Sequence, residues 1–251
     1  MIKLLDLLLE IQNNPKAIFL AGSSGSGKSF LNKQLLPPNY ITINSDNTYE
    51  ELLQKSGIGL KQKDFTPEQL SQAAKLLSQS RKVTNDVLVK AMEGRKNLII
   101  DGTGASSNTV LKKKKELESL GYNTFMLMVY VSPLTSLERN KNRDRSLMPS
   151  IVLRTWRDVT SNIEIYSKTF NNNFVLVDND PKDSNKNFNV DLLSPYLDDS
   201  SAVGKKKSPE ELKKSTLEKE EINKDIEKMI KQLPKLYSIE LSKSKIKQFT
   251  K

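Results

Sequence analysis

The 251-residue sequence contains neither cysteine nor histidine. Disulfides, zinc sites built on these residues, thiol nucleophiles and imidazole bases are therefore excluded from its chemistry. A general base in this chain must be a carboxylate or, less readily, a lysine. A bound metal must lie among oxygen ligands, and Mg²⁺ is the ion that best fits such ligands.

Long apolar runs are also scarce, since only 36% of the residues are hydrophobic. The Leu-rich start, Met1–Ile11, is interrupted by Asp6 and Glu10. That stretch is too short to span a bilayer and no small-residue cleavage site follows it. We therefore predict an amphipathic helix rather than a signal peptide, and we expect a soluble, cytoplasmic protein with no membrane partner.

Positive charge is concentrated at the C-terminal end. Residues 200–251 contain 14 lysines and 8 acidic residues, which gives +6 of the net charge of +10. This asymmetry predicts a body at 1–199, a linker at 200–208 and a basic helical extension at 209–251. A charged, solvated helix is the ordinary explanation of such an extension, and an arm that contacts nucleic acid or a protein partner is the alternative. The sequence gives no indication of which partner the arm would contact.

Strand and helix patterns alternate through residues 16–180. Such alternation predicts an α/β fold, in which helices cover both faces of a parallel sheet, here with about five strands. The apolar segment at 122–131 fits a strand buried on both sides. The predicted strands are 16–21, 40–43, 97–101, 122–131 and 173–177, and the main predicted helices are 29–36, 66–92, 107–120, 134–145 and 151–170.

A glycine-rich segment lies between the first predicted strand and the first predicted helix. It matches the pattern G-x-x-x-x-G-K-[ST] in full, which predicts a phosphate-binding loop. The glycines let backbone N–H groups point at a β-phosphate, Lys28 reaches the β- and γ-phosphates, and the Ser29 hydroxyl binds Mg²⁺. We therefore predict that ATP or GTP binds here with Mg²⁺. The segment comprises Gly22, Ser23, Ser24, Gly25, Ser26, Gly27, Lys28 and Ser29.

Two aspartates follow predicted strands at the sheet edge where this loop opens. Ligand crevices of open parallel sheets lie at that edge. Asp46, just beyond the second strand, could take the proton of an attacking hydroxyl, or it could cap the next helix. Asp101, at the end of the third strand, is placed like an acid that holds Mg²⁺, although many buried strands end in Asp.

Three arginines cluster between the fourth strand and a further helix. Arg139 and Arg143 are four residues apart, on one face of the predicted helix, and Arg145 follows near its end. Guanidinium groups above a bound nucleotide would neutralise charge on the transferring phosphoryl group. We assign Arg139 and Arg143 to catalysis and Arg145 to nucleotide binding, with a solvated charged helix as the alternative.

Together these motifs resemble P-loop kinases related to the zeta toxins and to the 5′-kinase domain of phage polynucleotide kinase. The resemblance implies a three-layer P-loop NTPase fold of the nucleotide-kinase type. It is carried by residues 22–29, Ile43–Asp46, Leu98–Gly104, and Leu137–Arg154 with its E-R-N-x-x-R, proline and V-L-R.

The resemblance also implies roles for single residues. Asp46 takes the position of the general base, Arg139 and Arg143 those of phosphate-clamping arginines, and Asp101 and Thr103 those of residues that contact substrate. Asp101 could thus serve substrate rather than metal. The polynucleotide kinases have a phosphate-gripping arginine three residues after the base, where this chain has Tyr49. Tyr49 could stack on a base or sugar of the substrate, or pack on the next helix.

These features predict a kinase that phosphorylates a hydroxyl. The candidate acceptors are a 5′-hydroxyl of DNA or RNA, a hydroxymethylated base, and a nucleotide sugar as in zeta toxins. The lysine run Lys112–Lys115 slightly favours nucleic acid. A nucleotide-binding switch or assembly protein that uses the C-terminal arm, and a small-molecule monophosphate kinase, are the alternatives.

Overall fold

The structure is a computed structural model that describes residues 14–36, 38–61, 65–143 and 145–181. The predicted N-terminal helix, the linker at 200–208 and the extension at 209–251 lie outside the described residues. The boundary at residue 199 therefore stays a prediction.

The described residues form one five-stranded parallel sheet. Its strands are β1 (Lys16–Gly22), β2 (Ile41–Ile43), β3 (Leu98–Asp101), β4 (Asn123–Tyr130) and β5 (Phe174–Asp178). The strand order is β2-β3-β1-β4-β5, and each neighbouring pair runs parallel. The predicted α/β fold with about five parallel strands is confirmed, and the phosphate loop follows the central strand.

Seven α-helices lie within the described residues. They are α1 (Lys28–Leu35), α2 (Ser45–Lys55), α3 (Pro67–Glu93), α4 (Ser107–Ser119), α5 (Pro133–Lys141), α6 (Pro149–Ser161) and α7 (Ile163–Phe170). Thr66 and Gln69 form a reciprocal capping box at the start of α3, with Pro67 in the first turn, as the sequence predicts. Among the described helices, none combines the length and apolarity that crossing a bilayer requires.

The sheet is buried on both faces because its central strands are apolar throughout. Along β1, Phe19 belongs to one core cluster, whereas Ile18 and Leu20 belong to another on the opposite face. The first cluster is filled by aromatic side chains of α6 and α7, in particular Trp156 and Tyr166. This packing forms the three layers of the predicted architecture and fixes the carboxyl ends of the strands, where the functional site lies.

The helix predicted at 134–145 is wrong at its C-terminal end. Helix α5 stops at Lys141, so Arg143 and Arg145 lie in the loop that follows it. The buried Asn140 side chain donates a hydrogen bond to Leu147 O (2.8 Å) and accepts one from Leu147 N (3.1 Å). These contacts fold the chain back against α5. They outweigh the intrinsic helix propensity of the lysine and arginine residues in this segment.

The single helix predicted at 151–170 is also wrong, since α6 and α7 are separate helices that meet at Asn162. The Asn162 side chain donates hydrogen bonds to Gly104 O (3.1 Å) and Ala105 O (2.9 Å) in the loop after β3. A contact over 57 residues of sequence thus accompanies the break in the helix. No local pattern could reveal it.

Candidate active site

A cleft of about 460 Å³ opens at the carboxyl edge of the sheet. It lies between the phosphate loop, the start of α2, the turn after β3 and the arginine segment, so the topology brings together the motifs that the sequence separates. Among the predicted site residues, all but Gly22 and Tyr49 line it. Those that line it are Ser23, Ser24, Gly25, Ser26, Gly27, Lys28, Ser29, Asp46, Asp101, Thr103, Arg139, Arg143 and Arg145.

The phosphate loop is held from behind by α5 and by the end of β5. The Ser136 hydroxyl donates a hydrogen bond to Ser24 O, and Asn179 Nδ2 donates one to Ser26 O at 2.8 Å. Gly25 has φ +76°, and a Cβ there would lie 2.7 Å from Ser136 O. Only glycine therefore allows the loop to approach α5 so closely. The loop is fixed by contacts within the protein itself.

Lys28 points along the inside of this loop. Its Nζ donates hydrogen bonds to Gly22 O (2.6 Å) and Ser23 O (3.1 Å). Withdrawal of the ammonium group from water lowers the pKa of Lys28 to about 8, and the negative charge of Asp101 opposes that shift. An ammonium group with so little water around it is stabilised by an anionic ligand.

The loop fits a phosphate group. Within the described residues, Ser26 Oγ is the buried side-chain polar atom that has no hydrogen-bond partner. A phosphate oxygen in the loop would supply the missing partner. This orphaned hydroxyl and the desolvated ammonium of Lys28 are what a site built for an anion would show.

Arg139 and Arg143 reach the phosphate loop from α5 and the loop behind it. Arg139 donates hydrogen bonds to Gly25 O (3.3 Å) and Asn179 O (2.9 Å), and Arg143 donates one to Ser24 Oγ (3.3 Å). Arg143 occupies the predicted place even though the helix that was expected to carry it ends earlier. Both guanidinium groups therefore lie beside the position of a bound phosphate.

Asp101 lies at the end of β3 and is hydrogen-bonded by Asn44, whose Nδ2 is 2.7 Å from Oδ2 of the carboxylate. Burial raises the pKa of Asp101, while the charge of Lys28 and the hydrogen bond from Asn44 oppose the shift. Ser29, at the start of α1, and Asp101 offer the oxygen atoms that could hold Mg²⁺. The described residues contain no cluster of three or more acidic side chains that would form a metal site by themselves.

Asp46 lies in the first turn of α2, and its side chain is 62% exposed. The helix is capped by Asn44, whose Oδ1 accepts hydrogen bonds from Asp46 N (2.8 Å) and Asn47 N (3.2 Å). The capping role considered for Asp46 therefore belongs to Asn44. The Asp46 carboxylate is left to face the cleft.

Arg145 and Tyr49 differ in position from the other predicted residues. Arg145 Nη1 lies 3.1 Å from Glu50 Oε1 and 3.6 Å from Asp46 Oδ1, and its guanidinium carbon lies 5.2 Å from the centre of the Tyr49 ring. Arg145 thus packs on α2 and not on the phosphate loop. Tyr49 is only 8% exposed and packs with Leu53, so its ring is covered rather than open to a substrate.

The turn after β3 is braced by β1 and α7. Thr103 O accepts a hydrogen bond from Gly22 N (2.9 Å), and the Tyr166 hydroxyl donates one to Gly104 O (2.7 Å). Gly104 has φ +73°, and a Cβ there would lie 2.7 Å from the Ala21 side chain. A second, largely apolar cavity of about 270 Å³ opens behind this turn and shares Thr103 with the main cleft.

Among the residues at the site that sequence reasoning missed are Asn44, Glu50, Asn140 and Asn179. Asn44 carries a signal that could have found it, because an Asn between a strand and a helix is a frequent N-cap. Glu50 is one helical turn after Asp46, which also indicates a shared face. Asn179 carries no such signal, since its partner Ser26 lies 153 residues away, and neither does the contact of Asn140 with Ser24, 116 residues away.

The comparison with known families agrees with this geometry. The family model described as Zeta toxin matches residues 6–172, more than half of the chain. The chain belongs to the zeta toxin family. With the five-stranded sheet and the phosphate loop, family membership makes this zeta toxin relative a P-loop kinase, which is a nucleotide-dependent phosphotransferase. No curated protein matches the sequence.

Several solved structures are similar to this zeta-family chain at low identity. A structure of the PezAT toxin–antitoxin system of Streptococcus pneumoniae shares 17% identity, covers 89% of this chain and 94% of its own, and has a TM-score of 0.45. The Pnkp1/Rnl/Hen1 RNA repair complex shares 19% identity over 61% of this chain and 46% of its own, with a TM-score of 0.43. A gluconokinase from Sinorhizobium meliloti shares 16% identity over 66% of this chain and 83% of its own, with a TM-score of 0.39. These similarities are too distant to assign a substrate.

Proposed function

We propose that this zeta-family kinase transfers the γ-phosphoryl group of ATP or GTP to a hydroxyl group of a nucleic acid, a nucleotide or a nucleotide sugar. The observation that carries the proposal is the meeting of Asp46, Lys28 and two arginines in one cleft, with the Asp46 carboxylate released from helix capping by Asn44. A switch protein that only binds a nucleotide would need Lys28 but not a carboxylate opposite it.

The nucleotide phosphates would lie in the phosphate loop. There Lys28 would reach the β- and γ-phosphates, and Arg139 and Arg143 would neutralise charge on the transferring group. Mg²⁺, held through the oxygen atoms of Ser29 and Asp101, would neutralise further phosphate charge when it is bound. The positions of Lys28, Arg139 and Arg143 around the loop support these proposed roles.

The acceptor would lie on the side of the cleft formed by Asp46, Asp101 and Thr103. Its hydroxyl oxygen would attack the γ-phosphorus, a new O–P bond would form, and the bond to the β–γ bridging oxygen would break. Asp46 would take the hydroxyl proton, and the nucleoside diphosphate would leave with the electron pair of the broken bond.

Nucleic acid is less strongly favoured as the acceptor by the structure than by the sequence. Of the lysine run on α4, Lys113 pairs with Glu116 (2.9 Å) and Lys114 pairs with Glu118 (2.5 Å). Half of the run is therefore neutralised within the helix, and its attraction for phosphate groups is reduced. An experiment must include acceptors of each kind.

The test is Mg²⁺-dependent transfer of label from γ-labelled ATP or GTP to four acceptors: 5′-hydroxyl oligonucleotides, hydroxymethyl-containing DNA, nucleoside monophosphates and nucleotide sugars. Transfer to one class should fall about 10²–10⁴-fold in Asp46→Asn, while nucleotide affinity stays close to that of the wild type. Lys28→Ala should lose both affinity and transfer.

Asp86→Asn is the matched control, because Asp86 is an exposed residue of α3 that does not line the cleft. It should behave like the wild type. Equal loss of nucleotide binding in Asp46→Asn and Lys28→Ala would show that Asp46 has a structural role. Tight nucleotide binding without transfer to any acceptor would favour the switch protein.

A further inference from the structure

The cations of the cleft fall into two groups. Lys28, Arg139 and Arg143 all contact atoms of the phosphate loop. Arg145 instead lies against α2, on the side of the cleft that carries Asp46. The phosphate loop is therefore supplied with positive charge by three residues, and Arg145 requires a separate explanation.

The helix presents a matched surface to Arg145. Asp46, Tyr49 and Glu50 are spaced i, i+3 and i+4, so they share one face of α2. The two carboxylates meet the same guanidinium nitrogen, at 3.6 Å and 3.1 Å, and the Tyr49 ring lies beneath the guanidinium at 5.2 Å. Since Tyr49 is buried in the core cluster formed with Leu53, this surface is held in place by packing.

We propose that Arg145 is a positioning residue for Asp46, anchored by Glu50 and by the ring of Tyr49. The proposal rests on the proposed function, in which Asp46 takes the proton of the acceptor. An exposed aspartate side chain can adopt several rotamers, whereas a general base must lie within hydrogen-bond reach of the hydroxyl. Arg145 supplies a fixed partner that keeps the carboxylate on the cleft side of α2.

Arg145 also connects the arginine loop to the base. The same segment carries Arg143, which contacts the phosphate loop, and Arg145, which contacts Asp46, only two residues apart. The contact of Arg143 with the phosphate loop and the orientation of the Asp46 carboxylate therefore depend on one short stretch of chain. The ion pairs of Arg145 are still partly open to water, with its own side chain 21% exposed and its partners 32% and 62% exposed, and such pairs add little to folding stability. The main effect of Arg145 is therefore expected on turnover rather than on the fold.

The test compares Arg145→Gln, Arg145→Lys and Glu50→Gln in the full-length protein. Arg145→Gln should lower kcat about 10–100-fold, because misplacement of a reacting group by about 1 Å has an effect of that size. The nucleotide Kd, the acceptor KM and the thermal midpoint should stay close to wild-type values. Arg145→Lys, which keeps the charge, should recover most of the lost turnover.

Glu50→Gln removes one anchor of the guanidinium and should lower kcat less than Arg145→Gln does. The double variant Arg145→Gln/Glu50→Gln should have a kcat no lower than that of Arg145→Gln alone, because the effects of substituting residues that act as a unit are not additive. Arg81→Gln, which removes an exposed arginine of α3 that does not line the cleft, is the control and should leave kcat unchanged.

Three results would overturn the inference while leaving the proposed function intact: unchanged kcat in Arg145→Gln, a raised nucleotide Kd, or a raised acceptor KM at unchanged kcat. The second would make Arg145 a nucleotide-binding residue, and the third would make it an acceptor-binding residue. If the wild-type protein transfers label to none of the acceptors, the proposed function fails and this inference fails with it.

Discussion

Gly104 and Gly57 have almost the same φ angle but different surroundings. Their φ angles are +73° and +72°. A Cβ at Gly104 would lie 2.7 Å from the Ala21 side chain and 3.6 Å from the Tyr166 ring, whereas a Cβ at Gly57 would meet nothing within 4 Å. Alanine substitutions at the two positions therefore separate backbone strain from steric overlap.

The backbone contribution is shared by both variants. A left-handed conformation is about 1–2 kcal/mol less favourable for alanine than for glycine, which lowers the free energy of unfolding. Alanine also restricts the unfolded chain, which raises the free energy of unfolding by about 0.4–1 kcal/mol. Overpacking of a rigid site adds about 1–3 kcal/mol, and it applies only to Gly104→Ala. We expect Gly57→Ala to be destabilised by about 1 kcal/mol and Gly104→Ala by about 2–4 kcal/mol.

Equilibrium unfolding in urea measures this difference. The single tryptophan, Trp156, is buried and donates a hydrogen bond to Val131 O, so its fluorescence reports unfolding of the core next to the site. Gly104→Ala should also reduce phosphoryl transfer, because it displaces the turn that carries Thr103, whereas Gly57→Ala should not. Equal destabilisation of the two variants would refute the close approach of this turn to β1.

Three further predictions concern other parts of the protein. ATP affinity should fall as the pH rises above about 8, by up to about tenfold per pH unit, because the pKa of Lys28 is about 8 and a triphosphate binds better to the protonated amine. Calorimetric titration between pH 7.5 and 9.5 measures this affinity, and a constant value would contradict the prediction. Asn140→Ala should cost about 1–3 kcal/mol in urea unfolding and weaken nucleotide binding, because Leu147 N, Leu147 O and the Ser24 hydroxyl each lose a hydrogen-bond partner; unchanged values would show that water replaces the side chain. Removal of residues 200–251 should leave the thermal midpoint unchanged, and an insoluble product would move the domain boundary.

The sheet could be predicted because each strand is an apolar run bounded by turn residues. All five strands were expected within one or two residues, and the phosphate loop was evident from its glycines and Lys28. These signals are local, and burial of the apolar strands enforces them. The residue roles assigned to Asp46 and the arginines stay predictions, although the structure brings them to one cleft.

What could not be predicted depends on side-chain contacts that helical periodicity does not describe. The helices at 134–145 and 151–170 were expected to be continuous, yet Asn140 and Asn162 use their side chains to bind backbone groups outside their own helices. Arg145 has an ordinary place in a charged segment, and only the tertiary structure sets it against Tyr49 and Glu50. Helical periodicity contains no information about such pairings.

The brace on the phosphate loop has a consequence for the order of folding. Asn179, just beyond β5, holds Ser26 and accepts a hydrogen bond from Arg139, although it follows Ser26 by 153 residues. During synthesis, which proceeds from the N-terminus, the complete glycine-rich motif emerges early, but these two contacts cannot form until β5 and Asn179 have been synthesised. A nascent chain that ends before Asn179 therefore carries the motif without its support. The support of the phosphate loop is therefore complete only after β5 and Asn179 have been added to the chain.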